Sequence, residues 1–305
     1  MQKVVGLGSV ETAVVQPILG PDLHFVEKPT QQDISDAVGA IVRGAFRFDA
    51  NQFAAMPNLK VLARTGVGTE LVDLETAAER GVPVVITPGS NTNAVAEGAM
   101  AHALHLLKRL GPLTRLVRDG NWNELTSYPV GDLEGQTIGI VGFGRIGRRV
   151  AQLAEAFGMR VLAYDPFAQI PSEKAVAYLE ELVSRADVVT LHVPLTDQTR
   201  NMVDADLLAR FKPNAVLVNC GRGSLVDLDA AYESLQTGQL GGLGLDVFDP
   251  EPPEHHALFD HENVVLTPHV MGLSIQSTRQ TFIDAAQGVR DVIDGRAPKA
   301  TATAS

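Results

Sequence analysis

The chain has 305 residues, 45% hydrophobic and 20% charged, enough for packed cores and long enough for about two domains at ~100–200 residues each. A formal net charge of −11 argues against a nucleic-acid partner, which needs clustered Lys and Arg, and no apolar run reaches the ~18–20 residues of a membrane span. The single cysteine, Cys220, excludes an internal disulfide, and with no signal-peptide pattern in residues 1–6 it predicts a cytoplasmic protein.

Short β-branched runs alternate with helical patterns, the pattern of βα units around parallel sheets. In the first part, strands are predicted at 4–7, 40–42, 60–63 and 82–86. Gly6-Leu7-Gly8 lacks a third glycine and reads as a strand-end loop. A long helix from about Ala94 to Val117 follows, with a kink expected at Gly111-Pro112. Its apolar face (Val95, Met100, Ala103, Leu104, Leu106, Leu107, Leu110) is broader than one lobe needs to cover, so a homodimer is expected to bury the rest. A second series of strands is predicted at 137–141, 160–164, 188–191, 215–219, 243–246 and 264–266. Helices fall at 146–157, 228–236 and about 273–294. The tail from Ala300 to Ser305 is small and polar and is expected to fray. The fold class is α/β: two Rossmann-like or flavodoxin-like doubly wound parallel-sheet lobes, with a cleft between them as the place for a site.

Ile140-Val141-Gly142-Phe143-Gly144-Arg145-Ile146-Gly147 follows a strand and opens a helix. Gly142 permits a tight turn, Gly144 lets a pyrophosphate approach the backbone, and Gly147 lets helix and strand pack closely. The next strand ends at Asp165, 18 residues past Gly147, where a carboxylate can meet a ribose 2′-hydroxyl and repel a 2′-phosphate. The expected cofactor is NAD.

Three residues then follow in order, Arg222, Glu251 and His269, spaced by 29 and 18. An arginine between Gly221 and Gly223 offers a planar fork for carboxylate and carbonyl oxygens. A histidine can give a proton to a carbonyl oxygen, and a glutamate can pair with that histidine. Each residue alone has an ordinary structural explanation; the conjunction, with a dinucleotide turn, is the equipment for reducing a 2-keto acid. Arg43, with Arg47 nearby, can pair with a second anionic group, while Arg64 and Arg222 supply charge for the first, which favours a phosphorylated or otherwise polar hydroxy acid over an apolar one. His255, His256 and His261 beside Glu254 and Glu262 have no regular ligand spacing and read as solvated loop, so no metal is expected.

With these motifs, together with Arg64-Thr65-Gly66-Val67-Gly68, Gly120-Asn121-Trp122 and Thr267-Pro268-His269, the chain resembles the D-isomer-specific 2-hydroxyacid dehydrogenases, nearest to their phosphoglycerate dehydrogenase branch. The resemblance implies a discontinuous substrate domain of residues 1–95 plus 287–305, an NAD-binding domain of residues 96–286, and a homodimer. It implies that Arg222 binds and polarises substrate, that His269 is the acid/base with Glu251 its partner, and that backbone amides at Val67 and Gly68 hold the carboxylate. Arg145, Ile146 and Asp165 are expected at the dinucleotide backbone and ribose; Thr87, Val193, Cys220, Gly221 and Asp246 are expected to line the nicotinamide side. Glu70-Leu71 and Val270-Met271 depart from the usual pattern, which leaves the acid open, and no regulatory domain is expected beyond Asp294. The alternative from another class is an NAD(H)-sensing, corepressor-like binding protein.

Overall fold

A computed structural model of the chain describes residues 1–44 and 46–302. It divides into two compact units, Met1–Asn91 with the segment from Leu273 onward, and Thr92–Gly272. In chain order, the first unit runs β1 (Gln2–Leu7), α1 (Thr12–Leu19), β2 (Leu23–Val26), α2 (Gln31–Asp36), β3 (Gly39–Val42), α3 (Ala50–Ala55), β4 (Val61–Arg64), α4 (Leu74–Glu79) and β5 (Val84–Val85). The second contains α5 (Thr92–Leu107), α6 (Leu110–Asp119), β6 (Thr137–Val141), α7 (Arg145–Ala156), β7 (Arg160–Tyr164), α8 (Leu179–Arg185), β8 (Val188–Leu191), α9 (Ala205–Leu208), β9 (Ala215–Asn219), α10 (Leu228–Gln236), β10 (Leu240–Leu245) and β11 (Val264–Leu266). The chain then returns to the first unit with α11 (Ile275–Ile293) and β12 (Thr301–Ala302).

The first sheet has the order β12-β5-β4-β3-β1-β2, parallel throughout except for β12. That is the flavodoxin-like order with an antiparallel strand added at one edge. β3 and β4 are buried along their whole length, because helices cover both faces. One face packs Val4, Ile41, Val61 and Ala63 on Phe282, Ala285 and Val289 of α11; the other gathers Val5, Val42 and Leu62 with Phe48, Phe53 and Met56. The expectation that the tail frays is corrected for Thr301 and Ala302, which pair with Val85 and Val84. Residues 303–305 lie outside the described residues. β2 escaped the sequence reading because it is a four-residue edge strand carrying an exposed His24.

The second sheet is parallel in the order β11-β10-β9-β8-β6-β7. The chain leaves β6 for β7 on one side and then crosses back past it to β8, so the turn after β6 lies at the point where the winding reverses. The expected long helix is broken at Lys108–Arg109, not at Gly111-Pro112: Arg109 adopts φ +51, and Pro112 falls in the first turn of α6, where a missing N–H costs nothing. The apolar face of α5 is covered within its own unit, where Ala96, Ala99, Met100, Ala103 and Leu106 pack with Ile138, Ile140, Val150 and Val218. Exposed apolar side chains lie instead in the stretch after it, at Leu110, Val117, Trp122, Leu125 and Val130. Among the described residues, no helix is long and apolar enough to cross a membrane.

Candidate active site

The nucleotide turn is built by close contacts that only glycine permits. Gly142 has φ +93, and a Cβ there would lie 2.7 Å from the main chain of His192. A Cβ on Gly147 would lie 2.1 Å from the Gly142 carbonyl oxygen, so strand and helix approach as closely as backbones can. Gly144, at the mouth of α7, faces open space, and no side chain caps the helix. Arg145 is exposed and Ile146 half-buried in the first helical turn. This is a cradle of open backbone at a helix start, and the pyrophosphate of a dinucleotide fits it. Val193 lies against the position a Cβ on Gly142 would take.

Asp165, at the end of β7, holds the turn from the other side. Its Oδ2 accepts from Phe143 N at 2.8 Å, and its Oδ1 accepts from Phe167 N at 2.9 Å and Ala168 N at 3.0 Å. Of roughly four lone-pair sites on a carboxylate, one remains on Oδ2, enough for one ribose hydroxyl.

At the end of β9, buried Asn219 shapes the loop that carries Arg222. Its amide donates to Arg222 O at 2.8 Å and its oxygen accepts from Gly221 N at 3.0 Å. Arg222 Nη1 donates to Gly221 O at 2.9 Å. A Cβ on Gly223 would lie 2.1 Å from the main-chain carbon of Phe248, so this loop rests directly on the one that leads to Glu251. Glu251 Oε1 accepts from Phe248 N at 3.0 Å, and its Oε2 lies 2.8 Å from Nδ1 of His269. A carboxylate only accepts, so His269 carries hydrogen on Nδ1, and Nε2 is the atom left for a ligand. Both side chains are half-exposed, 52% for His269 and 38% for Glu251. His269 has φ +52, and its N–H donates to Thr267 O at 3.0 Å.

Beneath this pair lies Asp246, 2% exposed, whose Oδ1 accepts from Thr267 Oγ1 at 2.6 Å and Val270 N at 2.9 Å, and whose Oδ2 accepts from Met271 N at 3.1 Å. Cys220 is mostly buried, and burial, with Asp246 adding to it, pushes its thiol up to about 12. It is a packing residue rather than a nucleophile. His102 of α5, 3.2 Å from Thr267 Oγ1 through Nε2, was not singled out in the sequence, because a lone histidine among Ala99, Met100 and Ala103 carries no signal of its own. His255 and His256 are engaged one each with Asp260 and Asp229, and no metal-binding cluster occurs among the described residues.

The residues placed in the first unit behave differently. Arg64 is 5% exposed at the end of β4. Its Nη2 donates to Gly44 O at 2.6 Å, its Nη1 approaches the carbonyls of Arg43 and Phe46 at 3.4 Å, and its Nε donates to Gly68 O. Thr87 is buried, its hydroxyl accepting from Gly66 N at 2.7 Å while its own N–H donates to Gly66 O at 2.9 Å. Arg64 and Thr87 therefore brace the loop 66–68, where Val67 is 49% exposed. Arg43 stacks its guanidinium over Phe282 at 5.5 Å, and its stem packs against Gly8.

An open glycine cradle at the winding reversal of a parallel sheet, with an acidic strand end beside it, defines a dinucleotide-binding unit, and this unit also carries a histidine–carboxylate pair. Residues 100–271 match the family described as "D-isomer specific 2-hydroxyacid dehydrogenase, NAD binding domain". The chain is 36% identical over 271 residues to a hydroxypyruvate reductase of Thermotoga maritima, covering 87% of this chain and 88% of that one. It is equally 36% identical over 271 residues to a D-3-phosphoglycerate dehydrogenase of Methanocaldococcus jannaschii, covering 87% of this chain and 51% of the relative. The chain thus spans about half the length of the phosphoglycerate dehydrogenases it matches. A crystal structure of D-lactate dehydrogenase from Aquifex aeolicus, complexed with NAD and lactic acid, superposes with TM-score 0.80 at 29% identity, covering 96% of each chain. The chain belongs to the D-isomer-specific 2-hydroxyacid dehydrogenase family, and its cofactor is NAD.

Proposed function

We propose that the protein is an NAD-dependent oxidoreductase that interconverts a small D-2-hydroxy acid and its 2-keto acid. The observation that carries this reading is the Glu251–His269 pair at 2.8 Å on the same unit as the nucleotide turn. Bound NAD(H) supplies the hydride exchange. His269 gives a proton from Nε2 to the substrate's carbonyl oxygen in reduction and takes it back in oxidation, while Glu251 fixes the ring through Nδ1. Arg222 lays its guanidinium on the carboxylate and carbonyl oxygens. The amides of Val67 and Gly68 hold the carboxylate in the loop that Arg64 and Thr87 brace. Gly142, Gly144, Arg145, Ile146 and Gly147 hold the pyrophosphate, and Asp165 takes the ribose. Val193, Cys220, Gly221 and Asp246 line the nicotinamide side. The unit Met1–Asn91 with the segment from Leu273 onward serves as the substrate domain and Thr92–Gly272 as the NAD domain, so that α11 belongs whole to the substrate domain.

The favoured substrates are unphosphorylated acids of the hydroxypyruvate and glyoxylate kind. Arg43 lies over Phe282, with its stem packed on Gly8, and so lends little support to a site for a second anionic group. The Thermotoga relative, whose length the chain nearly spans, is named for hydroxypyruvate. A panel of glyoxylate, hydroxypyruvate, phosphohydroxypyruvate and pyruvate with NADH tests this reading. Turnover highest on the first two supports it; NADH binding without turnover of any would favour the corepressor-like alternative. The protein is further inferred to be a cytoplasmic homodimer, with Leu110, Val117, Trp122, Leu125 and Val130 at the interface, binding neither nucleic acid nor membrane. Light scattering at micromolar concentration tests the dimer.

A further inference from the structure

His102 and Asp246 are both 2% exposed, and Thr267 stands between them. Thr267 has one hydroxyl hydrogen. Its oxygen lies 2.6 Å from Asp246 Oδ1, which can only accept, so that hydrogen goes to Asp246. With its hydrogen committed, the oxygen, 3.2 Å from His102 Nε2, can only accept from the ring. His102 therefore carries a hydrogen on Nε2. Nδ1 has no hydrogen-bond partner among the described residues and lies 2.8 Å from where Gly244 would carry a Cβ. A neutral ring fits this place, because burial, outweighing the pull of Asp246, lowers the pKa of His102 below its ordinary value.

The bonds that hold the left-handed turn at His269 run to the same two residues. His269 N donates to Thr267 O, and Val270 N and Met271 N donate to Asp246. A non-glycine residue in that conformation persists only where its surroundings enforce it. We propose that His102 is a positioning residue for His269: by donating from Nε2 to Thr267, it fixes the Thr267–Asp246 pair on which the turn carrying His269 rests. This rests on the reading of His269 as the acid/base group.

The test compares His102→Leu with His102→Gln in the full chain. Gln can place an amide N–H near the position of Nε2; Leu fills the apolar surroundings at least as well but donates nothing. In His102→Leu, kcat for keto-acid reduction should fall about tenfold, the effect of a group held by one lost hydrogen bond. KM for NADH should change less than kcat does, because the turn that holds the pyrophosphate is untouched and only Asp246, on the nicotinamide side, is loosened. His102→Gln should recover most of kcat. A packing role predicts the opposite order, with Leu tolerated and Gln impaired, and that order overturns the proposal, as does an unchanged kcat in His102→Leu. If the parent protein reduces no keto acid, the functional reading fails, and amide hydrogen exchange decides this inference alone. Val270 and Met271 should exchange faster in His102→Leu and return to parent rates in His102→Gln; unchanged protection in His102→Leu overturns it.

Discussion

The loop after β4 and the loops after β9, β10 and β11 use charge in opposite ways. At Arg64 the charged group is inside the protein, bonded to carbonyls of Gly44 and Gly68, and main chain is displayed at Val67 and Gly68. At His269 the chemistry-bearing side chains are displayed, and the buried carboxylate of Asp246 holds the main chain beneath them. A buried guanidinium with carbonyl partners is costly to remove, because each carbonyl loses its donor. A half-exposed ion pair contributes little to stability and is free to exchange a proton with a ligand. One arrangement is suited to presenting amides to an anion; the other is suited to moving a proton.

Four measurements probe that contrast, in order of decreasing effect. With the Cys220 thiol pushed up to about 12, it stays protonated at all working pH, whereas the unfolded thiol ionises near its ordinary value. Near pH 8, alkylation in the folded protein should therefore be about 10³-fold slower than in denaturant. Rapid alkylation of folded protein would mean that reactive groups are not confined to the displayed pair. Next, Arg64→Leu should lower stability in chemical denaturation by about 2–4 kcal/mol, while Glu251→Gln leaves it within about 1 kcal/mol. Equal losses would erase the distinction. Glu251→Gln should instead lower kcat for keto-acid reduction roughly 10- to 100-fold, since a hydrogen bond to a charged group is replaced by a neutral one. Finally, Asp165 should give a preference for NAD over NADP of at least about tenfold in kcat/KM, from like-charge repulsion of a 2′-phosphate. Because Asp165 also accepts from Phe143, Phe167 and Ala168 amides, Asp165→Ala should weaken NADH binding without a compensating gain for NADPH. Equal efficiency of the parent with both cofactors would contradict this role.

The second unit was the more legible in sequence. Five of its strands are short runs rich in β-branched and apolar residues, and their predicted bounds coincide with β6, β7, β8, β9 and β11. β10 begins three residues earlier than predicted, because Leu240-Gly241-Gly242 reads as turn yet pairs with β9 through a register shift at Leu240/Gly242. In the first unit, α1 to α4 have six to eight residues each, too short for a clear period, and went unread. The pairing of Glu251 with His269 followed from the family resemblance and from no local pattern. What no local pattern revealed is which polar groups serve the protein itself. Arg64 and Thr87 carry the same residue types as ligand-binding groups, and only their carbonyl and amide partners show that they brace a loop. His102 is hidden for the same reason, since its partner Thr267 is 165 residues away.

The role of His269 as proton donor at the reacting carbonyl is tested by NADH oxidation by His269→Ala with hydroxypyruvate, measured alongside NADH binding by fluorescence. Binding should stay within about twofold of the parent while turnover falls by ~10²–10⁴, the usual share of general acid–base catalysis. Turnover at the parent rate with binding intact would contradict it.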